Sequence, residues 1–191
     1  HSIEYGLLHL VERIVNKQIK SNNLEQELKQ VIIHRDDLNI DRFNKLVEDA
    51  VVLDIKERKS LEDFLIVLSK TVYKDIGLSV EEITDLFKQR EEEVSTAITP
   101  FIAIPHIIIP GMNKFKLVIV RSQKGIRFTD THDSIKAVFV LFGTKDERAF
   151  HLQVLSTIAH IVQAKYFEKE WLNVKNKQQL KDILLLSQRK R

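Results

Sequence analysis

Arg90-Glu91-Glu92-Glu93-Val94-Ser95-Thr96-Ala97-Ile98-Thr99-Pro100-Phe101-Ile102-Ala103-Ile104-Pro105-His106 is the stretch on which the reading of this chain turns. It leaves the end of an amphipathic helix, crosses a Ser/Thr/Pro loop and enters a short apolar run, residues 101–104, that reads as a buried strand. Proline fixes φ and cannot donate to a sheet ladder, so the strand is expected to stop at Pro105. His106 is then expected at the carboxyl end of a strand, pointing out of it, and in open α/β sheets ligands bind at that edge.

Such a placement suits a nucleophilic histidine. A neutral imidazole accepts a phosphoryl group when one nitrogen is free and the other is held as N–H by a hydrogen bond. The transition state spreads charge over three equatorial oxygens and needs a cation and neutral donors nearby. Arg90 offers a forked guanidinium, and Ser95 and Thr96 offer hydroxyls. His151, at the head of a later helix, is a candidate partner in the same pocket. From spacing alone the plainer reading outweighs this one: an ordinary strand-end histidine, and an arginine on a solvated helix face.

The order of residues changes that balance. Arg-Glu, then Ser-Thr, then Ile-Ala-Ile-Pro-His, then a distant His-Leu at a helix start, resembles the enzyme IIA domain of the phosphoenolpyruvate:sugar phosphotransferase system, mannitol/fructose type, a family that includes the nitrogen-regulatory paralogue. The resemblance covers roughly residues 41–186. It implies an α/β fold, a mixed sheet flanked by helices in the mannitol/fructose IIA-like sandwich. It also implies that His106 accepts the phosphoryl group, that His151 is the second active-site histidine and that Arg90 lies beside them; Ser95 and Thr96, by their hydroxyls, are the expected phosphate-binding residues. One departure stands out: the loop from Ser95 to His106 contains no glycine, where the family is usually rich in it. Fewer routes then remain by which backbone N–H groups approach a phosphate. After His106, Ile107-Ile108-Ile109-Pro110 forms an apolar rim.

Composition narrows the classes. A chain of 191 residues, 43% hydrophobic, buries one good core with room for an appendage. The absence of cysteine removes thiol and disulfide chemistry and fits a reducing cytosol. Thirty basic against 27 acidic residues give a net charge of +3, too even for a nucleic-acid binder. No signal peptide and no run of 18 apolar residues is present. The chain starts at His1-Ser2 without a methionine, which reads as a piece of a longer protein.

Residues 3–35 fall outside the family pattern. Leu7, Leu10 or Val11, Ile14, then Leu24, Leu28, Val31 and Ile32 recur at helical spacing, with Ser21-Asn22-Asn23 between them. They read as a helical hairpin on the domain, a connector from an upstream module, or a dimer seam. Asp36-Asp37-Leu38-Asn39 is the linker, so the expected division is 1–38 as N-terminal extension and 39–191 as the IIA-like domain. Within the latter the pattern predicts a helix over 42–49 and a strand over 51–55. Helices capped by Ser60 and Ser79 follow, the first stopped by Gly77 and the second delivering Arg90. Strands are predicted over 115–120, 125–128 and 137–142, with Lys124-Gly125 as a hairpin turn, and helices over 147–162 and 178–186.

Other notable residues favour plain readings. His132 belongs to a polar turn, and His160 lies too far along the His151 helix to face the same way. Trp171, with Phe167 and Tyr166, reads as a helix packed on the core, and Arg189-Lys190-Arg191 as a solvated tail. His106 with His151 lacks a third ligand for zinc, so no metal or cofactor is expected.

Two functional classes remain. The first is a phosphocarrier that takes a phosphoryl group on His106 from a histidine phosphocarrier protein and hands it to a sugar-permease domain, a phosphotransferase in activity. The second is a regulatory module of a membrane transporter that keeps the fold without phosphotransfer. Both place the domain in the cytoplasm, the second tethered to the inner face of a membrane, with transporter spans in the same chain or in a partner. The N-terminal helices offer a route to a homo-oligomer.

Overall fold

The computed structural model describes residues 40–187. The expected N-terminal helices over residues 3–35 and the Arg189-Lys190-Arg191 tail lie outside them. In chain order the elements are α1 (Ile40–Glu48), β1 (Val51–Ile55), β2 (Lys59–Ser60), α2 (Leu61–Ile76), α3 (Val80–Glu93), β3 (Ile102–Ala103), β4 (His106–Ile109), β5 (Phe115–Arg127), β6 (Ile135–Thr144), a 3₁₀ turn (Lys145–Glu147), α4 (Arg148–Val162), α5 (Phe167–Asn173) and α6 (Lys177–Leu186).

The sheet is mixed. β5 and β6 form an antiparallel centre, β1 and β2 run parallel to β5 on one side, and β3 and β4 run parallel to β6 on the other. β6 is buried at nine of its ten residues, as expected of a strand covered on both faces. One face packs α1, α4, α5 and α6 around Phe139, Leu141, Leu155 and Trp171. The opposite face packs α2 and α3 around Val118, Val140, Phe64 and Phe87. The sandwich of helices around a mixed sheet is the architecture the sequence implied.

Local signals account for the helices. The Ser60 hydroxyl accepts from the Asp63 N–H at 3.1 Å, and that of Ser79 from the Glu82 N–H at 3.1 Å, satisfying donors that a helix start leaves open. α2 ends at Gly77 in the left-handed region, φ 81°, where its N–H reaches the Tyr73 carbonyl. Trp171 is fully buried, stacked on Phe167 at 5.4 Å, and donates its indole N–H to the Lys136 carbonyl at 3.0 Å. Tyr166 departs from that reading and is exposed.

Two expectations are corrected. The first concerns β5, which is one strand of 13 residues; Lys124-Gly125 is a bulge within it and not a hairpin. Its register against β6 jumps between Arg121 and Ile126. Gly125 has φ +98°, and a Cβ there would come within 2.9 Å of the Ser134 Cα. Glycine thus marks a bulge and a close strand approach. The reversal comes later and contains no glycine: Thr129 and His132 exchange backbone hydrogen bonds across it.

The second concerns His106 itself. The strand does end before Pro105, but pairing with β6 resumes at His106 as a new strand. Ile102 faces Ala137 and His106 faces Leu141, so the register against β6 runs unbroken through the proline. Pro105 has no N–H to lose from the ladder, yet its carbonyl still accepts from the Leu141 N–H at 2.9 Å. His106 therefore opens β4 and points into the layer beneath α4 instead of out of the strand's end.

Candidate functional site

Paired residues on adjacent strands share a face, so the register locates the site. On the α4 face, Leu117, Leu141 and His106 form one row across β5, β6 and β4. Phe115, Gly143 and Ile108 form the next. Gly143 leaves a dip between the flanking side chains. The chain leaves β6 at Thr144, makes one 3₁₀ turn and enters α4, which brings His151 in its first turn back over that dip.

The two imidazoles meet there edge to face, with centroids 5.1 Å apart and planes at 82°. Phe115 supports His151 from the other side at 5.6 Å and packs against Phe150 at 5.0 Å. A Cβ on Gly143 would stand 2.9 Å from the Phe115 ring and 3.9 Å from His151 Nδ1, so the absence of a side chain is what admits the Phe115 ring, while His151 lies at ordinary contact distance. Behind Phe115, between α1 and α2, lies a cleft of about 440 Å³ with Arg42, Lys45, Asp75 and Lys116 at its walls.

His106 is wholly buried. Its Nδ1 lies 3.1 Å from the Ile104 carbonyl oxygen. A carbonyl only accepts, so Nδ1 carries the proton and Nε2 carries the lone pair. Nε2 is buried with no hydrogen-bond partner among the described residues, and so is Nε2 of His151. Buried polar atoms of this kind are uncommon, and each calls for an explanation. Both rings are neutral at neutral pH. Burial holds His106 well below the ordinary histidine range, helped by the charges of His151 and Arg90, against a smaller opposing effect of the Ile104 hydrogen bond. Burial alone lowers His151 to about 4.

Arg90 comes from the last turn of α3. Its side chain is 5% exposed, and its Nη1 donates to the Val94 carbonyl at 3.0 Å. Burial lowers its pKa, opposed by Glu91 and Glu93, and its charge is felt at His106. The site therefore brings together His106, His151 and Arg90. Ser95 and Thr96 are placed differently. Ser95 Oγ accepts from the Ala97 N–H at 3.2 Å, and the buried Thr96 hydroxyl donates to Glu91. The glycine-free loop turns back along the edge of the sheet, with an Ala97–Ala103 bridge and the Ile104 N–H donating to the Thr96 carbonyl at 3.0 Å. Sequence reasoning passed over Phe115, Gly143 and Glu91. Only Glu91 left a signal, in the Arg-Glu pair.

The site thus holds a histidine with a buried, unpartnered Nε2, a second histidine against it and a buried guanidinium. Residues 45–186 match the family model described as phosphoenolpyruvate-dependent sugar phosphotransferase system, EIIA 2. The chain belongs to this family. A fructose-specific EIIA component from Haloferax volcanii is 28% identical over 101 residues, which span 52% of this chain and 66% of that protein. Among solved structures, the nitrogen regulatory protein IIA-Ntr from Neisseria meningitidis superposes with a TM-score of 0.67 at 20% identity, covering 75% of this chain and 99% of that one. The mannitol enzyme IIA from Escherichia coli, solved in complex with phosphorylated enzyme IIB, gives 0.56 at 15% identity, covering 70% and 92%. At these identities the two structures establish the fold. Among the described residues no helix is long and apolar enough to cross a membrane, and no group of three or more His, Cys, Asp or Glu could hold a metal ion.

Proposed function

We propose that this IIA domain carries a phosphoryl group on Nε2 of His106. The observation that carries the reading is the polarity of that ring: Nδ1 is held by the Ile104 carbonyl, while Nε2 is buried without a partner in a ring that lies against His151. The Nε2 lone pair attacks phosphorus of a phosphohistidine donor protein. The donor P–N bond breaks, the donor imidazole leaves with that electron pair, and the His106 proton stays on Nδ1. Arg90 offsets the charge gathered on the equatorial oxygens, and His151 donates to one of them once it takes a proton or the right tautomer. The group then passes to a permease domain; the similar mannitol enzyme IIA forms a complex with phosphorylated enzyme IIB.

Residues 1–38 act as a connector to a transporter module or as a dimer seam, residues 39–191 as the IIA domain, and the domain works in the cytoplasm, at the inner membrane face if tethered. The second reading, a regulatory domain of a transporter that works by contact without phosphotransfer, draws on the complete burial of His106, since a donor must displace the ring's cover to reach it. The experiment that separates them is incubation with phosphoenolpyruvate, enzyme I and the histidine phosphocarrier protein, read by mass spectrometry. An acid-labile, base-stable phosphate absent from His106→Ala supports the carrier. No label from a donor that phosphorylates a reference IIA domain leaves the contact regulator.

A further inference from the structure

Glu91 is a half-buried carboxylate one residue beyond Arg90, and burial pushes its pKa up against the lowering effect of its Thr96 hydrogen bonds. Its two oxygens lie 3.1 and 3.2 Å from the Thr96 N–H, and one also accepts the Thr96 hydroxyl. The Thr96 carbonyl accepts from the Ile104 N–H at 3.0 Å, and the Ile104 carbonyl accepts from His106 Nδ1 at 3.1 Å. These contacts form a continuous chain from the end of α3 across the loop to the imidazole.

We propose that Glu91 is a positioning residue for His106: through Thr96 and the Ile104 backbone it holds the ring in the Nδ1–H tautomer and keeps the lone pair on Nε2. The inference rests on the reading of His106 as phosphoryl acceptor for its consequence, though not for its geometry. Hydrogen bonds to an ionised acceptor are about twice as strong as neutral ones, so the Glu91 carboxylate is the firmest anchor on a loop that no glycine loosens. It fixes both polar groups of Thr96 that lie on its side, which fixes the carbonyl to which Ile104 is tied. Pro105 limits Ile104 from the other side, because a residue before proline is confined to extended backbone. With both sides set, the Ile104 carbonyl has one direction, and it is aimed at Nδ1. Glu91 touches no reacting atom in this scheme and acts through the tautomer, as outer hydrogen-bond partners of metal-bound histidines do.

The test uses the whole 191-residue chain with ¹⁵N-labelled histidine and reads the tautomer of His106 by long-range ¹H–¹⁵N correlation, alongside the phosphotransfer rate. Wild type should show Nδ1 protonated and Nε2 bare. Glu91→Ala should let the Nε2–H tautomer appear and slow phosphotransfer by roughly ten- to a hundredfold. Glu91→Gln, which keeps an acceptor for Thr96, should fall between, and Thr96→Val should resemble it. These two milder variants decide the matter if Glu91→Ala fails to fold. A structural role alone would lower stability and leave the nitrogen shifts unchanged. His106 shifts identical to wild type in every folded variant would overturn the inference. A shifted tautomer in a protein that takes no phosphate would support the positioning and refute the acceptor reading, so the two failures are distinguishable.

Discussion

Acid should destabilise this domain through its buried histidine pair, and His151 gives the size of the effect. In the unfolded chain a histidine titrates near 6.5; in the fold burial brings His151 to about 4. Between those values the unfolded chain binds a proton that the native one refuses, so the stability is fully present above pH 6.5 and lost as pH falls toward 4. At 1.36 kcal/mol per pH unit the gap amounts to about 3 kcal/mol, a ceiling because part of the residue remains accessible. His106, also lowered, adds in the same direction, and Glu91, raised by burial, works against both. His151→Phe isolates the one contribution, since it keeps an aromatic ring between His106 and Phe115 and cannot titrate. Urea unfolding at pH 7, 6, 5 and 4 should show the wild type losing up to about 3 kcal/mol more than the variant across that range. Stability curves that stay parallel would mean that His151 takes its proton in the fold as freely as in water, and the reasoning from burial would fail.

Gly143→Ala should cost about 1–3 kcal/mol in urea unfolding by overpacking against Phe115, and shift the His151 ring resonances; Phe115→Leu in the same chain should recover both. Asp54→Ala should lower stability by about 3 kcal/mol or more. It leaves Arg121, whose Nε and Nη2 reach Asp54 at 3.0 and 2.6 Å and whose Nη1 holds the Trp171 and Val174 carbonyls, without its carboxylate. Ser60→Ala should cost about 1 kcal/mol, seen as a lower urea midpoint with an unchanged slope, through loss of the α2 cap.

The capped helices and the strands were legible because each carries its own signal within a few residues: Ser60 and Ser79 before acidic first turns, Gly77 after a periodic run, and the short apolar runs of residues 51–55 and 115–120. The errors came where a local rule met tertiary context. Lys124-Gly125 has the composition of a turn, but a long antiparallel partner absorbed it as a bulge. Pro105 does separate two strands, but an edge position tolerates a missing N–H, so β6 picks up the same register at His106 and places it at the start of β4. For the site, His106, His151 and Arg90 stood out as chemistry-bearing residues in a familiar order. The roles of Gly143 and Phe115 depend on which residue faces which across β5 and β6, a relation that no short window contains. Thr96 illustrates the remaining gap: its hydroxyl was expected at a phosphate and is committed to Glu91, five residues earlier in the chain.

The central claim is that Nε2 of His106 is the phosphoryl acceptor. Its most direct test is a ³¹P–¹⁵N correlation on the chain labelled with ¹⁵N-histidine after treatment with the phosphoenolpyruvate-driven donor system. Coupling to Nε2 of His106, with Nδ1 still protonated, is the predicted result; phosphorus on Nδ1, or on His151, would contradict it.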